Sequence, residues 1–217
     1  NLAAAIADGG WAATTVSATM IAAAAVGIGV FATGGIGGVH RGALGGERPT
    51  FDISADLDEL ARTPVVVVCA GPKAILDVPA TLEYLETRGV PVVTIGARDL
   101  PAFYARSSGI RSPLSVADVP AAARLVAAHR RLGLGSGVLV CVPVPVRDAL
   151  PDAAAQAAVE RAVADADRAG IHGPDLTPWL LARIATLTDG ASVAANTALI
   201  EHNAKIAGEL AVALARS

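Results

Sequence analysis

Lys73 stands at the exit of an unbroken apolar run, Val65-Val66-Val67-Val68-Cys69-Ala70-Gly71-Pro72. A continuous β-branched run closed by a Gly-Pro turn signal reads as a buried, parallel strand. Ligands of open α/β sheets bind outside the carboxyl ends of such strands. An amine beside so apolar a segment is partly desolvated, which disfavours a charged lysine. A neutral lysine can attack a carbonyl carbon and form an imine. The other reading of Lys73 is a surface lysine that closes off the strand.

Four further constellations surround it in sequence. Thr33-Gly34-Gly35-Ile36-Gly37-Gly38-Val39-His40-Arg41 has four glycines in five positions. Its spacing is neither the dinucleotide fingerprint nor a phosphate-binding P-loop, since no Gly-Lys-Ser/Thr closes it. It still brings backbone N–H groups together with Thr33, His40 and Arg41, which suits an anion; a plain tight loop is the alternative. Thr14-Thr15-Val16-Ser17 opens a helix, either as a simple cap or as a second place for a phosphate. Asp52-Ile53-Ser54-Ala55-Asp56 sets two carboxylates four apart with a serine between them. They read as a turn residue and a cap, or as a cation site brought to the strand ends. A lone carboxylate completed by water suits Mg²⁺ or Mn²⁺ better than Zn²⁺. Asn196 and Asn203 are seven apart on the terminal helix and share a face, with His202 on the same stretch. Either asparagine serves a buried hydrogen bond or a substrate contact.

The elements that must position these groups follow from the apolar pattern. The chain has 217 residues, of which 53% are apolar and only 3% aromatic, and its net charge is -3. That composition suits Ala-rich helices on a buried sheet, and the absence of a basic block argues against nucleic acid. The longest apolar stretch, residues 18–32, is interrupted by glycine and is shorter than the roughly 18 residues of a membrane span. No basic leader pattern opens the chain. Cys69 and Cys141 lie in Val-rich runs and read as core residues, with no disulfide framework or zinc site. Helices are expected at 2–7, 16–25, 56–61, 73–87, 117–132, 151–170, 177–188 and 192–214. Strands are expected at 29–32, 65–69, 91–95 and 137–142, with an irregular stretch from 98 to 115. Together they predict one α/β domain over residues 1–217, an α/β/α arrangement with a mostly parallel central sheet flanked by helices.

Read in order, Thr-Thr-Val-Ser-Ala-Thr-Met (14–20), Phe-Ala-Thr-Gly-Gly-Ile-Gly-Gly-Val-His-Arg-Gly (31–42), Thr-Phe-Asp-Ile-Ser-Ala-Asp-Leu (50–57) and Val-Cys-Ala-Gly-Pro-Lys (68–73) resemble the pseudouridine-5'-phosphate glycosidase family. Thr-Leu-Glu-Tyr-Leu-Glu-Thr (81–87), Thr-Pro-Trp-Leu-Leu-Ala-Arg (177–183) and Asn196 with its helix agree. The resemblance spans essentially the whole chain. It implies reversible cleavage of the C–C glycosidic bond of pseudouridine 5'-phosphate to uracil and ribose 5-phosphate. It implies Lys73 as the nucleophile at C1' that forms a Schiff base, Asp52 as a Mn²⁺ ligand with Mg²⁺ as the alternative ion, and Asn196 and Asp56 in the active site. Ser54, Ala55 and Asp56 would contact substrate, as would Val16 through its backbone, with Thr33, His40 and Arg41 near the phosphate. A C-glycoside has no heteroatom leaving group, so paired-carboxylate chemistry does not apply, and an imine supplies the missing electron sink. The resemblance further implies a homotrimer in the cytoplasm, without membrane or nucleic-acid partners. It places an acid/base glutamate and a substrate lysine upstream of Asn1, so the chain is expected to be N-terminally incomplete. Without them, a sugar-phosphate-binding fragment is the competing expectation. The loop at 44–49 reads as longer than the family's.

Overall fold

The computed structural model describes residues 2–45 and 49–216. Three of the residues behind the expected long loop, 46–48, therefore lie outside the described part. In chain order the elements are α1 (Leu2–Asp8), α2 (Val16–Ala25), β1 (Val30–Ala32), β2 (Val39–His40), α3 (Ala55–Arg62), β3 (Val66–Cys69), β4 (Leu76–Asp77), α4 (Val78–Thr87), β5 (Val92–Ile95), β6 (Leu114–Val116), α5 (Val119–Leu132), β7 (Val138–Cys141), α6 (Asp152–Ala169), α7 (Leu176–Leu187) and α8 (Ala191–Ala215).

Five strands form one sheet in the order β1-β3-β7-β5-β6, and every pairing is parallel. Side chains alternate across a strand, so the apolar runs must feed two faces. Val65, Val67, Cys69, Leu139 and Cys141 pack with Met20 of α2, Leu57 and Leu60 of α3 and Leu85 of α4. Val66, Val68, Val138, Val140 and Val93 pack on the other face against Val126 of α5 and Leu210 of α8. A third cluster sits past the sheet, where Ala70 and Val144 continue β3 and β7 into α6, α7 and the first half of α8. The α/β/α arrangement with a mostly parallel sheet is therefore the observed fold. This third cluster matters for function, because it walls the carboxyl end of the sheet.

Cys69 and Cys141 are neighbours in register on β3 and β7. Both are free and buried, as expected for core residues. A hydrogen bond donated to the Cys69 sulfur, together with burial, pushes the Cys141 thiol well above its ordinary value. The Cys141 thiol thus stays protonated in the core.

The structure corrects two local expectations. The helix anticipated from Lys73 begins only at Val78. Asp77 caps it by accepting the Ala80 N–H at 3.0 Å, and Pro79 sits in its first turn. Residues 73–77 instead turn and form β4, which pairs antiparallel with β2. The stretch from 98 to 115, expected to be irregular, ends in β6, which extends the sheet beside β5. β6 escaped notice because its residues are half-buried or exposed, so it lacks an apolar run. Among the described residues no helix is long and apolar enough to cross a membrane.

Candidate functional site

A cavity of about 670 Å³ opens at the carboxyl ends of β1 and β3. Lys73, half-buried, stands in its wall. The glycine loop holds the lysine's backbone in place. Ala70 donates its N–H to the Gly34 carbonyl at 2.9 Å, Ile36 to the Gly71 carbonyl at 3.2 Å, and Lys73 to the Ile36 carbonyl at 3.1 Å. The loop and residues 70–73 thus run side by side like two more strand ends, with Ile36 and Pro72 in a parallel bridge. The side chain of Lys73 has no ion-pair partner among the described residues, so its amine is available to a ligand in the cavity.

Asp56 explains how the loop meets α2. Its carboxylate is 4% exposed. Oδ1 accepts the Ser17 N–H and Oδ2 accepts the Gly37 N–H, each at 2.8 Å. One buried carboxylate therefore ties the first turn of α2 to the glycine loop, with charge-assisted bonds on both oxygens. Ser54 caps α3 by accepting the Asp56 N–H at 3.3 Å, which turns Asp56 inward. The loop needs glycine where these groups crowd it. A Cβ at Gly37 would overlap the Ser54 hydroxyl and lie 2.9 Å from Asp56 Oδ2, and one at Gly35 would lie 2.6 Å from the Phe103 ring. Gly37→Ala is expected to cost about 2 kcal/mol, the usual scale of overpacking a filled site, and to lower any activity of the cavity. Denaturant unfolding alongside a turnover assay checks both.

Two more side chains clamp the loop. Thr81, fully buried on α4, accepts the Val39 N–H at 3.0 Å and donates to the Asp77 carbonyl at 2.7 Å. Asn203 of α8 donates to the Thr33 carbonyl at 2.9 Å. Its expected face-sharing with Asn196 holds, but the two have different surroundings: Asn196 lines the cavity, whereas Asn203 is buried behind the loop.

Thr33, Val16, Ser54, Asp56 and His40 also line the cavity. Three of the anticipated residues do not. Ala55 is exposed at the start of α3. Arg41 points away and lines a second cavity between the start of α4 and α6. Asp52 is 47% exposed, and its Oδ2 lies 3.7 Å from His40 Nδ1. No cluster of three or more metal-ligating side chains exists among the described residues. The pair of Asp52 and His40 offers two donors, which fits a hard divalent cation completed by water or by a ligand's oxygens.

The sequence patterns missed part of the wall. Phe103 and Tyr104 close the cavity from the loop after β5, and Thr177, Leu181, Ser192 and Val193 close it from α7 and α8. Phe103 adopts a left-handed backbone at φ 63° and packs its ring edge-on to Tyr104, centroids 4.8 Å apart. For so bulky a residue that conformation is strained, and such strain concentrates at functional sites. Burial pushes the Tyr104 phenol up to about 12, so it remains a neutral hydroxyl near pH 7. In a chain only 3% aromatic, the adjacent Phe103-Tyr104 pair after a buried strand was the available signal. Chemically, the cavity presents a free amine, an imidazole, hydroxyls from Thr33 and Thr15, and backbone amides. That set can hold an oxyanion and attack a carbonyl-like carbon.

Comparison with known proteins finds relatives over nearly the whole chain. The model of the indigoidine synthase A-like family matches residues 1–213. A pseudouridine-5'-phosphate glycosidase of Solibacter usitatus is 55% identical over 203 residues, 93% of this chain and 66% of the relative. Another, of Methylobacterium nodulans, is 55% identical over 97% of this chain and 61% of its own length. A third, of Herpetosiphon aurantiacus, is 54% identical over 98% and 69%. The chain thus spans about two thirds of the length of the curated relatives it matches. The crystal structure of a prealnumycin C-glycosynthase in complex with ribulose 5-phosphate superimposes with a TM-score of 0.91 at 38% identity, over 99% of this chain and 69% of that one. An indigoidine synthase A-like protein of Thermotoga maritima gives 0.80 at 36% identity, over 94% and 65%. The chain belongs to the indigoidine synthase A-like family, in which its relatives include proteins named pseudouridine-5'-phosphate glycosidase.

Proposed function

We propose that the protein cleaves the C–C glycosidic bond of pseudouridine 5'-phosphate reversibly, giving uracil and ribose 5-phosphate, as a pseudouridylate synthase does in the reverse sense. The observation that carries the proposal is the unpaired Lys73 amine in the wall of a strand-end cavity, its backbone held by a glycine loop. Relatives named for this activity and a solved neighbour bound to a pentose phosphate support it. In the proposed reaction the Lys73 nitrogen bonds to C1' and the ring oxygen departs with its electron pair. Protonation of the uracil carbon lets the C1'–C bond break, and the nitrogen lone pair forms the imine. Water then hydrolyses the imine to ribose 5-phosphate and restores the amine.

Asp56 holds two backbone amides, so we assign it to shaping the site beneath the substrate. The proton for uracil is assigned, on the family resemblance, to a glutamate outside residues 1–217. Asn196, Thr33, Val16 and Ser54 are assigned to substrate, with His40 near the phosphate. Asp52 with His40 would hold Mn²⁺, or Mg²⁺, which when bound would add positive charge beside an anionic substrate. A homotrimer in the cytoplasm belongs to the same proposal.

The chain's partial coverage of its relatives favours naming a second reading, a sugar-phosphate-binding fragment that does not break the bond. Incubation with pseudouridine 5'-phosphate, followed chromatographically for uracil, separates the two. Uracil release is the expected result. Binding of ribose 5-phosphate in a calorimeter without any uracil release would leave the second reading standing instead.

A further inference from the structure

Asn203 is fully buried, yet one of its two polar atoms, Oδ1, has no hydrogen-bond partner. An unsatisfied buried acceptor is costly, and a leucine of similar shape would avoid that cost. The other end of the amide accounts for the residue. Nδ2 donates to the Thr33 carbonyl at 2.9 Å and leans on the Gly34 carbonyl at 3.4 Å. Two facing carbonyls fix the orientation, since the reversed amide would set oxygen against oxygen.

The Gly34 carbonyl also accepts the Ala70 N–H, and two residues on, the Ile36 carbonyl accepts the N–H of Lys73. The contact between α8 and the loop is close. A Cβ on Gly34 would come within 3.3 Å of Ile200 and 3.6 Å of the Asn196 side-chain oxygen. Asn196, Ile200 and Asn203 follow one another at helical spacing on a single face of α8. The sheet end and α8 therefore meet at the start of the glycine loop, and Asn203 is the polar side chain that joins them.

We infer that Asn203 is a positioning residue: it anchors the start of the glycine loop to α8 and, through that loop, sets the backbone of Lys73 opposite Asn196. Its kinetic consequence rests on the function proposed above, but its structural consequence does not. In Asn203→Leu the amides of residues 34–37 and 73 lose their anchor. Hydrogen exchange there is expected to rise about tenfold, the scale of one buried hydrogen bond, while amides of β7 and α5 stay unchanged. Turnover of pseudouridine 5'-phosphate is expected to fall about tenfold in kcat with little change in KM. Leu210→Ala, deeper on the same helix, serves as the comparison: it loses packing and stability without the selective exchange or the kcat effect. Should the leucine variant not fold, Asn203→Asp keeps the shape while replacing the donor by an acceptor, and reads the same exchange. Loop exchange equal to the unaltered protein in the folded variant, or a kcat loss matched by Leu210→Ala, would overturn the inference. Absence of uracil release by the unaltered protein would instead refute the proposed function and leave the exchange comparison to decide Asn203.

Discussion

Lys73→Ala is expected to lower uracil release by a thousandfold or more, on the order of the loss of a covalent nucleophile, while the protein remains folded. The two halves of that expectation come from different observations. The amine faces the cavity without an ion-pair partner among the described residues, so its removal breaks no stabilising pair. The backbone bond from Lys73 to Ile36 survives any side-chain change, so the loop keeps its place. Stability should change by no more than about 0.5 kcal/mol, as for substitutions outside packed or paired positions. Lys73→Arg is the sharper variant. Arginine carries a positive charge and can hold an anion, but a guanidinium does not form the imine. Arginine should therefore be as inactive as alanine in turnover while retaining affinity for ribose 5-phosphate, which calorimetry can read. An arginine variant with substantial turnover would show that charge alone is the contribution of this position.

Asp56→Ala should damage the protein in the opposite manner, through structure first. The carboxylate is buried and accepts two backbone N–H groups from segments 20 residues apart in sequence, Ser17 and Gly37. Its removal leaves both donors unpaired and opens a cavity under the glycine loop. The expected loss is about 3–5 kcal/mol, the scale for breaking a buried charge-assisted pair of bonds. Asp56→Asn should fall between, because its amide can satisfy one N–H as acceptor and presents hydrogen to the other. Urea unfolding measures the stability, and ribose 5-phosphate binding measures the site. A stable Asp56→Ala protein that binds normally but releases no uracil would reassign Asp56 from scaffold to proton transfer.

The contrast between these two residues shows what can be read before folding. Lys73 was legible because its environment is local: eight preceding residues already make the strand and the turn that place it. The glycine loop was legible for the same reason, since four glycines in five positions need no distant partner to be noticed. Asp56 was noticed but not understood. Its partners lie 39 and 19 residues away, and nothing in its neighbourhood forecasts two backbone donors. Phe103, Tyr104 and Ser192 reach the cavity only because β7 inserts between β3 and β5 and α8 returns across β1. That order is set by packing of nearly equivalent Val-rich strands, which local periodicity does not rank. Arg41 failed for a simpler reason. It follows His40 at the corner of a turn that the Ala43 N–H closes on the His40 carbonyl at 3.0 Å, so the chain leaves the strand there and carries the side chain away from the cavity. The late start of α4 is set by Asp77 and Pro79, a cap and a first-turn proline.

The central claim is that Lys73 forms a covalent imine with the sugar, and reductive trapping tests it directly. The protein is incubated with ribose 5-phosphate and borohydride, digested, and the modified peptide located by mass spectrometry. The account predicts one adduct, a secondary amine joining the sugar phosphate to the Lys73 side chain, absent from Lys73→Ala. An adduct that persists in Lys73→Ala, or that maps to Lys205 instead, would contradict it.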